Sequence, residues 1–327
     1  MMKWFVTLTA VALFGLESTA KLTASPLNPK EIPAGSRLIV YMNFDAMRLS
    51  PAWMRFCSTV ERQPGIAARM GSVRSTAREV LGIQSINKIH DMTIFGTYQS
   101  RRSVVALVHA SFKPAALMVA GKLFPNYTKR QYGKFTILSW NKNPHRTIYL
   151  ACYGRSLALI GRRLRSVENE IDTLDGKAPG LTEHAKLLAG STPDDMFYIA
   201  GAGINELKLV RSPIFRQIDR CWMRALENKN SLVIQSQAVA ASVSAASQIE
   251  SVIKGIKSQI ELAGLTAGQH AATAGMTASQ HAAMARAVAV ANMVLSVKGR
   301  VVHADWTIPN LLITTLLPAP TVVSSPP

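Results

Sequence analysis

One order of elements occurs twice along this chain, and it limits what the chain can fold into. Ala34-Gly35-Ser36 precedes a β-branched and aromatic run, Leu38-Ile39-Val40-Tyr41-Met42. Ser50-Pro51 then opens a helix, with serine as N-cap and proline at the first helical position. Trp53, Phe56, Cys57 and Val60 follow at helical spacing. Further along, Ala189-Gly190-Ser191 precedes the run Met196-Phe197-Tyr198-Ile199-Ala200. Ser212-Pro213 opens a second segment that carries Ile214, Phe215, Ile218, Trp222 and Leu226, again read as a helix. Ser103-Val104-Val105-Ala106 and Ser231-Leu232-Val233-Ile234 are matching strands, each followed by a helix. The reading is an internal duplication of one unit, with the first unit over 35–180 and the second over 181–310.

Between the repeated elements lie short strand-like runs joined by turn residues. They are Met92–Tyr98, Ser103–Phe112, Lys134–Trp140, Thr147–Tyr153 and Ser156–Ile160, with a tight turn at Gly154-Arg155. Helices are expected over Ser75–Leu81, from Ala115 to Lys122, up to Leu174 before Gly176, over Ala246–Leu262 and over Ala282–Val297; a strand is expected over Arg300–Ile308. Strands in immediate succession favour antiparallel pairing over a parallel, Rossmann-type sheet. The expected fold class is α+β: two similar units, each a mainly antiparallel sheet packed by helices on one face. Residues 21–34 read as a linker and 311–327 as a flexible tail. This layout resembles exported bacterial proteins built from duplicated α+β units, over about residues 35–310, and the resemblance implies no catalytic residues.

The N-terminus sets the expected compartment. Met1-Met2-Lys3, an apolar run from Trp4 to Leu16 and Ser18-Thr19-Ala20 have the n-region, h-region and small-residue site of a secretory leader over 1–20. The apolar run is shorter than the roughly 20 residues a spanning helix needs. The protein is therefore expected to be exported, periplasmic or extracellular, with no nucleotide as partner. Cys57, Cys152 and Cys221 can form at most one internal bridge, and Cys57 with Cys221 is the candidate pair if both lie on helices.

Charge is the feature that points outward. The formal net charge is +18, and no carboxylate lies between Asp91 and Glu168, a stretch containing thirteen lysines and arginines. A single-sign field of this kind attracts anionic partners. The candidate anion-binding residues are Arg101, Arg102, Lys129, Arg130, Lys134, Arg162, Arg163 and Arg165. Aromatics from Phe95 to Tyr153 interleave them and would serve either as stacking surfaces or as strand core. For the arginine cluster, two helix starts are open. Beginning at Arg162 sets three cations against the helix dipole, whereas Ser166 as N-cap leaves them outside.

Catalytic patterns are weak. Gly201-Ala202-Gly203 half-matches a dinucleotide fingerprint, but Glu206 stands where the third glycine belongs and would face a pyrophosphate. No Gly-x-Ser-x-Gly, phosphate loop or His-Glu-x-x-His occurs. His90-Asp91 would diverge in a strand, and His90 reads as a turn histidine. His270 and His281 fall in a small repeat but lie about 16 Å apart on a helix, too far for one metal ion. Glu168, Glu170, Asp172 and Asp175 read as a solvated helix face, with Glu168 and Asp172 repelling unless a cation sits between them. No cofactor and no metal is expected. Three functions remain in order: a non-enzymatic envelope protein contacting an anionic polymer or an anionic membrane surface, a carrier or sensor of an apolar ligand, and an envelope hydrolase with a dispersed site.

Overall fold

The computed structural model describes residues 26–61, 88–97, 103–110, 122, 124–143, 146–182, 185–206, 213–274, 287–288 and 290–313. The leader, the helix over 75–81, the turn with Arg101 and Arg102, most of the helix over 115–122, Ser212, His145, His184, His281 and the tail beyond Ile313 lie outside them; of the expected flexible tail, Leu311 and Leu312 form a 3-10 turn and Ile313 is buried. The chain is α+β and its paired strands are all antiparallel. It divides into two compact units, Met1–Arg48 with Gly71–Gly203, and Leu49–Met70 with Ile204–Pro327.

Unit 1 contains β1 (Leu38–Asn43), β2 (Ile89–Gly96), β3 (Val105–Ala110), β4 (Thr128–Tyr132), β5 (Phe135–Asn143), β6 (Arg146–Tyr153), β7 (Leu157–Gly161) and β8 (Phe197–Ala202). Their order in the sheet is β8-β1-β2-β3-β7-β6-β5-β4. Asn43 ends β1 and caps the short helix α1 (Phe44–Leu49) by accepting from the Ala46 N–H at 2.8 Å. The central strands are buried on both faces, as in β2, where only His90 is part-exposed. Such strands read as continuous apolar runs rather than alternating ones.

Helix α3 (Leu164–Leu174) crosses the face that carries Leu107, Leu159 and Gly161. It follows β7 so closely that a Cβ at Gly161 would lie 2.6 Å from Val167. Val167, Glu170, Ile171 and Thr173 are buried beneath it. The helix stops at Gly176, whose φ of +71° favours glycine. Residues 29–34, expected to belong to a linker, instead form a packed strap. Pro29–Glu31 is a 3-10 turn, Ile32 is fully buried, and Pro33 bridges Gly180. The Ala34 N–H donates to Pro179 at 3.0 Å and the Leu181 N–H to Ile32 at 2.7 Å.

Unit 2 contains α2 (Pro51–Glu61), β9 (Ile218–Asn228), β10 (Ser231–Ala240), α4 (Val243–Ala274), β11 (Met293–Lys298) and β12 (Val301–Pro309), in the sheet order β11-β12-β10-β9. The Ser50 hydroxyl caps α2 by accepting from the Trp53 N–H at 3.0 Å, as the Ser-Pro signal predicts. Ala52 and Phe56 of this helix pack with Leu232, Ile234, Trp306 and Ile308. A second cluster joins Ile204, Ile218, Ala246, Ile249 and Val302.

The units therefore do not follow the expected division at 180/181. The strand after Ala189-Gly190-Ser191 is β8, and it pairs with β1 inside unit 1, Tyr41 opposite Tyr198. The first Ser-Pro helix contributes to the core of unit 2 instead.

One predicted helix is a strand, and another ends early. The segment after Ser212-Pro213 is β9, because Lys229-Asn230 turns the chain back and pairs Asn228 with Ser231. Trp222 and Leu226, four apart, share a strand face as readily as a helix face, and the Trp222 indole donates to Gln237 at 3.0 Å across the ladder. The helix expected over 282–297 gives way to β11 from Met293, which pairs with β12. Cys57 lies on α2 and Cys221 on β9, and no disulfide joins Cys57, Cys152 or Cys221. Among the described residues no helix is long and apolar enough to cross a membrane.

Candidate functional site

The α3 face of unit 1 gathers the ionisable groups. Directly paired residues on antiparallel strands present side chains to the same face. Asn43, Asp91 and His109 form one such row across β1, β2 and β3. Asp91 Oδ1 lies 2.6 Å from His109 Nδ1, and Glu31 Oε2 from the strap lies 3.3 Å from Nε2. With a carboxylate on each ring nitrogen, both nitrogens must donate, so the geometry requires an imidazolium. Burial pulls the His109 pKa down, but the hydrogen bonds to Asp91 and Glu31 outweigh it and hold it at about 10.

Glu170 projects from α3 toward the same cluster. It is fully buried, and neither carboxyl oxygen has a hydrogen-bond partner. Burial, reinforced by the charge of Glu31, pushes its pKa up to about 9. This corrects the expectation that Glu170 belongs to a solvated face. It occupies the inward position between Val167 and Ile171, a spacing of three and one.

His90 is in β2 rather than in a turn. It diverges from Asp91 as strand geometry requires and reaches Asp45, 3.1 Å away. Asp45 also pairs with Arg48, whose guanidinium donates to the Ile89 carbonyl at 3.0 Å. Burial and the Arg48 charge lower the His90 pKa, so the two histidines on adjacent strands carry opposite shifts.

The predicted basic candidates fall into distinct groups. Arg130 on β4 pairs with Glu168 at 3.5 Å. Lys134, in the β4–β5 turn, pairs with Asp175 at 3.2 Å and lies 5.1 Å above the Phe135 ring. Asp172 accepts from the Tyr132 hydroxyl at 2.8 Å. Glu168, Asp172 and Asp175 are thus each partnered by the β4–β5 hairpin, whose Arg130 and Tyr132 lessen the repulsion between Glu168 and Asp172.

Of the described interleaved aromatics, three are core and Phe124, Tyr127, Tyr132, Tyr149 and Tyr153 are half-buried. Phe95, Phe135 and Trp140 are buried, Phe124 stacks on Trp140, and Phe135 stacks on Tyr153. Arg162 is half-buried, whereas Lys129, Arg163 and Arg165 are exposed. The start of α3 matches neither expected alternative. Arg163 is the N-cap, with no side-chain cap bond, and Arg165 lies in the first turn.

Chemistry needing a soft nucleophile finds no support here. Burial pushes the Cys152 thiol to about 11 and raises that of Cys221, the direction opposite to thiolate activation. Among the described residues no group of three His, Cys, Asp or Glu side chains could hold a metal ion. In unit 2 an open groove is lined by Pro213, Ile214, Gln217, Ser244, Ser247, Gln248, Ser251 and Val252.

Sequence reasoning missed the Glu31–His109–Asp91 row because its members lie 60 and 18 residues apart. The available signal was an aspartate and a histidine in successive strands, each within an otherwise largely apolar run.

No family model matches the chain, and no curated protein matches it. Three solved structures resemble it, described as crystal forms III, I and IV of TP0453. They are 10%, 9% and 8% identical, with TM-scores of 0.45, 0.44 and 0.44. The match covers 89%, 89% and 90% of this chain and 99%, 96% and 97% of those chains.

Proposed function

We propose that this is an exported, non-enzymatic protein that holds an anionic polymer, or an anionic membrane surface, through unit 1. The observation that carries this reading is the start of α3. A helix N-terminus presents unpaired N–H groups and the positive end of its dipole. Serine, threonine, aspartate or asparagine ordinarily caps it. Here Arg163 stands at the cap and Arg165 in the first turn, both exposed, with no ion-pair partner among the described residues. Cations at this end cost about 0.3–1 kcal/mol each, a cost that a bound phosphate, sulfate or carboxylate would reverse. Lys129, exposed on the edge strand β4, adds a further cation with no ion-pair partner among the described residues. Arg130 and Lys134 serve the hairpin and are assigned no part in the contact.

Retention on immobilised heparin and on vesicles containing phosphatidylserine tests this reading. The protein is expected to bind and to be released as salt rises, because counterion screening weakens exposed contacts. Charge reversal at Arg163→Glu with Arg165→Glu is expected to lower the salt needed for release, and heparin against vesicles separates the two partners. Retention indifferent to salt, or equal in the variant, contradicts the reading.

A further inference from the structure

Glu170 is the group that the rest of unit 1 leaves unexplained. A fully buried carboxyl with two unpartnered oxygens is rare, because burial without hydrogen bonds costs free energy. Its surroundings can be stated completely for the described elements packed on α3. The strap contributes Glu31, which also reaches His109 Nε2. From β3 comes His109, and behind it Asp91 of β2. On the α3-facing side, β7 contributes Leu157, Leu159 and Gly161, none ionisable. From β6 come Tyr149, paired directly with Gly161, and Tyr153, whose hydroxyl lies 3.3 Å from both the Leu174 carbonyl and Asp175 at the far end of the helix. The helix's own Glu168, Asp172 and Asp175 are taken up by Arg130, Tyr132 and Lys134. Among the described residues no side chain pairs with the Glu170 carboxyl, and His109, the cation beside Glu31, is already held by two carboxylates.

We propose that the buried Glu170 carboxyl is a proton-held latch: neutral, it lets the Glu31 strap and α3 close together on the sheet, and ionised, it repels Glu31 and opens that junction. The strap is tied to unit 1 at defined points. Ile32 anchors it, and Gly180 passes so close that a Cβ there would meet the Lys30 carbonyl at 2.6 Å. The latch is independent of the anion contact, so either can fail without the other.

Proton linkage gives the sign. Glu170 has a folded pKa raised from 4.5 to about 9, so its contribution to closure is complete below 4.5 and is lost as pH rises through 9. His109 is raised from 6.5 to about 10, so its contribution is complete below 6.5 and is lost as pH rises through 10. Between about pH 7 and pH 9 opening releases two protons, and each proton contributes about tenfold per pH unit to the opening constant.

Hydrogen exchange of the Ala34 and Leu181 amides, corrected for intrinsic rates, reads this opening. In the full chain the opening constant is expected to rise about a hundredfold per pH unit between pH 7 and 9. Glu170→Gln is expected to lower this to about tenfold per unit, leaving the His109 proton alone. An equal slope in both proteins, or a flat profile, overturns the latch. If Glu170→Gln does not fold, ¹³C titration of Glu170 in the unaltered protein decides. A carboxyl that titrates at about 9 supports the proposal, and one that titrates near 4.5 overturns it.

Discussion

The two units differ in what they bury and what they expose. Unit 1 turns polar groups inward: Asp91, Glu170 and Asp195 are buried, and His109 is clamped between two carboxylates. Unit 2 leaves apolar groups outward: Val252, Ile256, Leu262 and Leu265 of α4 are exposed, and Val294 on β11 is 66% exposed. Its strands are half-covered along most of their length, and its ladders are dressed with neutral pairs such as Trp222–Gln237 and with Arg224 on Gln235. Unit 1 therefore has a large core whose stability is tied to protons. Unit 2 has smaller apolar clusters, and no ion cluster like Glu31–His109–Asp91 stands among its described groups. Both kinds of sheet are antiparallel, so the difference comes from what sits on the sheet rather than from how the strands pair.

The largest effect that would sharpen this contrast is core truncation. Leu159, fully buried on the α3 face, is expected to cost about 2–5 kcal/mol as Leu159→Ala. Half-buried Ile234 is expected to cost clearly less as Ile234→Ala, with urea unfolding as the measure. Equal costs would break the distinction between the cores.

Next is Gly180→Ala. Its Cβ meets backbone rather than a movable side chain, so about 1–3 kcal/mol is expected. Faster proteolysis within residues 26–34 would report the loosened strap.

Glu170→Gln is expected to raise the stability of unit 1 by about 1–3 kcal/mol at pH 8. The folded pKa of Glu170 lies above its unfolded value, so ionisation penalises the fold as pH rises from 4.5 toward 9. The gain should vanish below pH 4.5, and a gain independent of pH would point to packing alone.

The smallest effect is Gln237→Ala, which removes the acceptor for the Trp222 indole. It is expected to cost about 0.5–1.5 kcal/mol, equally at pH 6 and pH 9, by thermal or urea unfolding.

Local rules carried the sequence reading a considerable way. Ser50-Pro51 gave the α2 cap, Gly154 the β6–β7 turn and Gly176 the end of α3, because each depends on residues within one turn of chain. Trp222 and Leu226 misled because a spacing of four satisfies both periods, and only the pairing of β9 with β10 chooses between them. The acids of α3 read as solvated because their partners, Arg130, Tyr132 and Lys134, arrive from a hairpin thirty to forty residues earlier. The excess of cations in that stretch was visible in the sequence. Which of them face carboxylates and which stay free was decided by the fold.

The most direct test of the contrast is equilibrium urea unfolding followed through one tryptophan at a time. Variants would retain only Trp140 in unit 1 or only Trp222 in unit 2, at pH 6 and at pH 9. The account predicts that the Trp140 midpoint falls markedly at pH 9 while the Trp222 midpoint stays where it was. A Trp140 transition indifferent to pH, or two transitions shifting together, would contradict it.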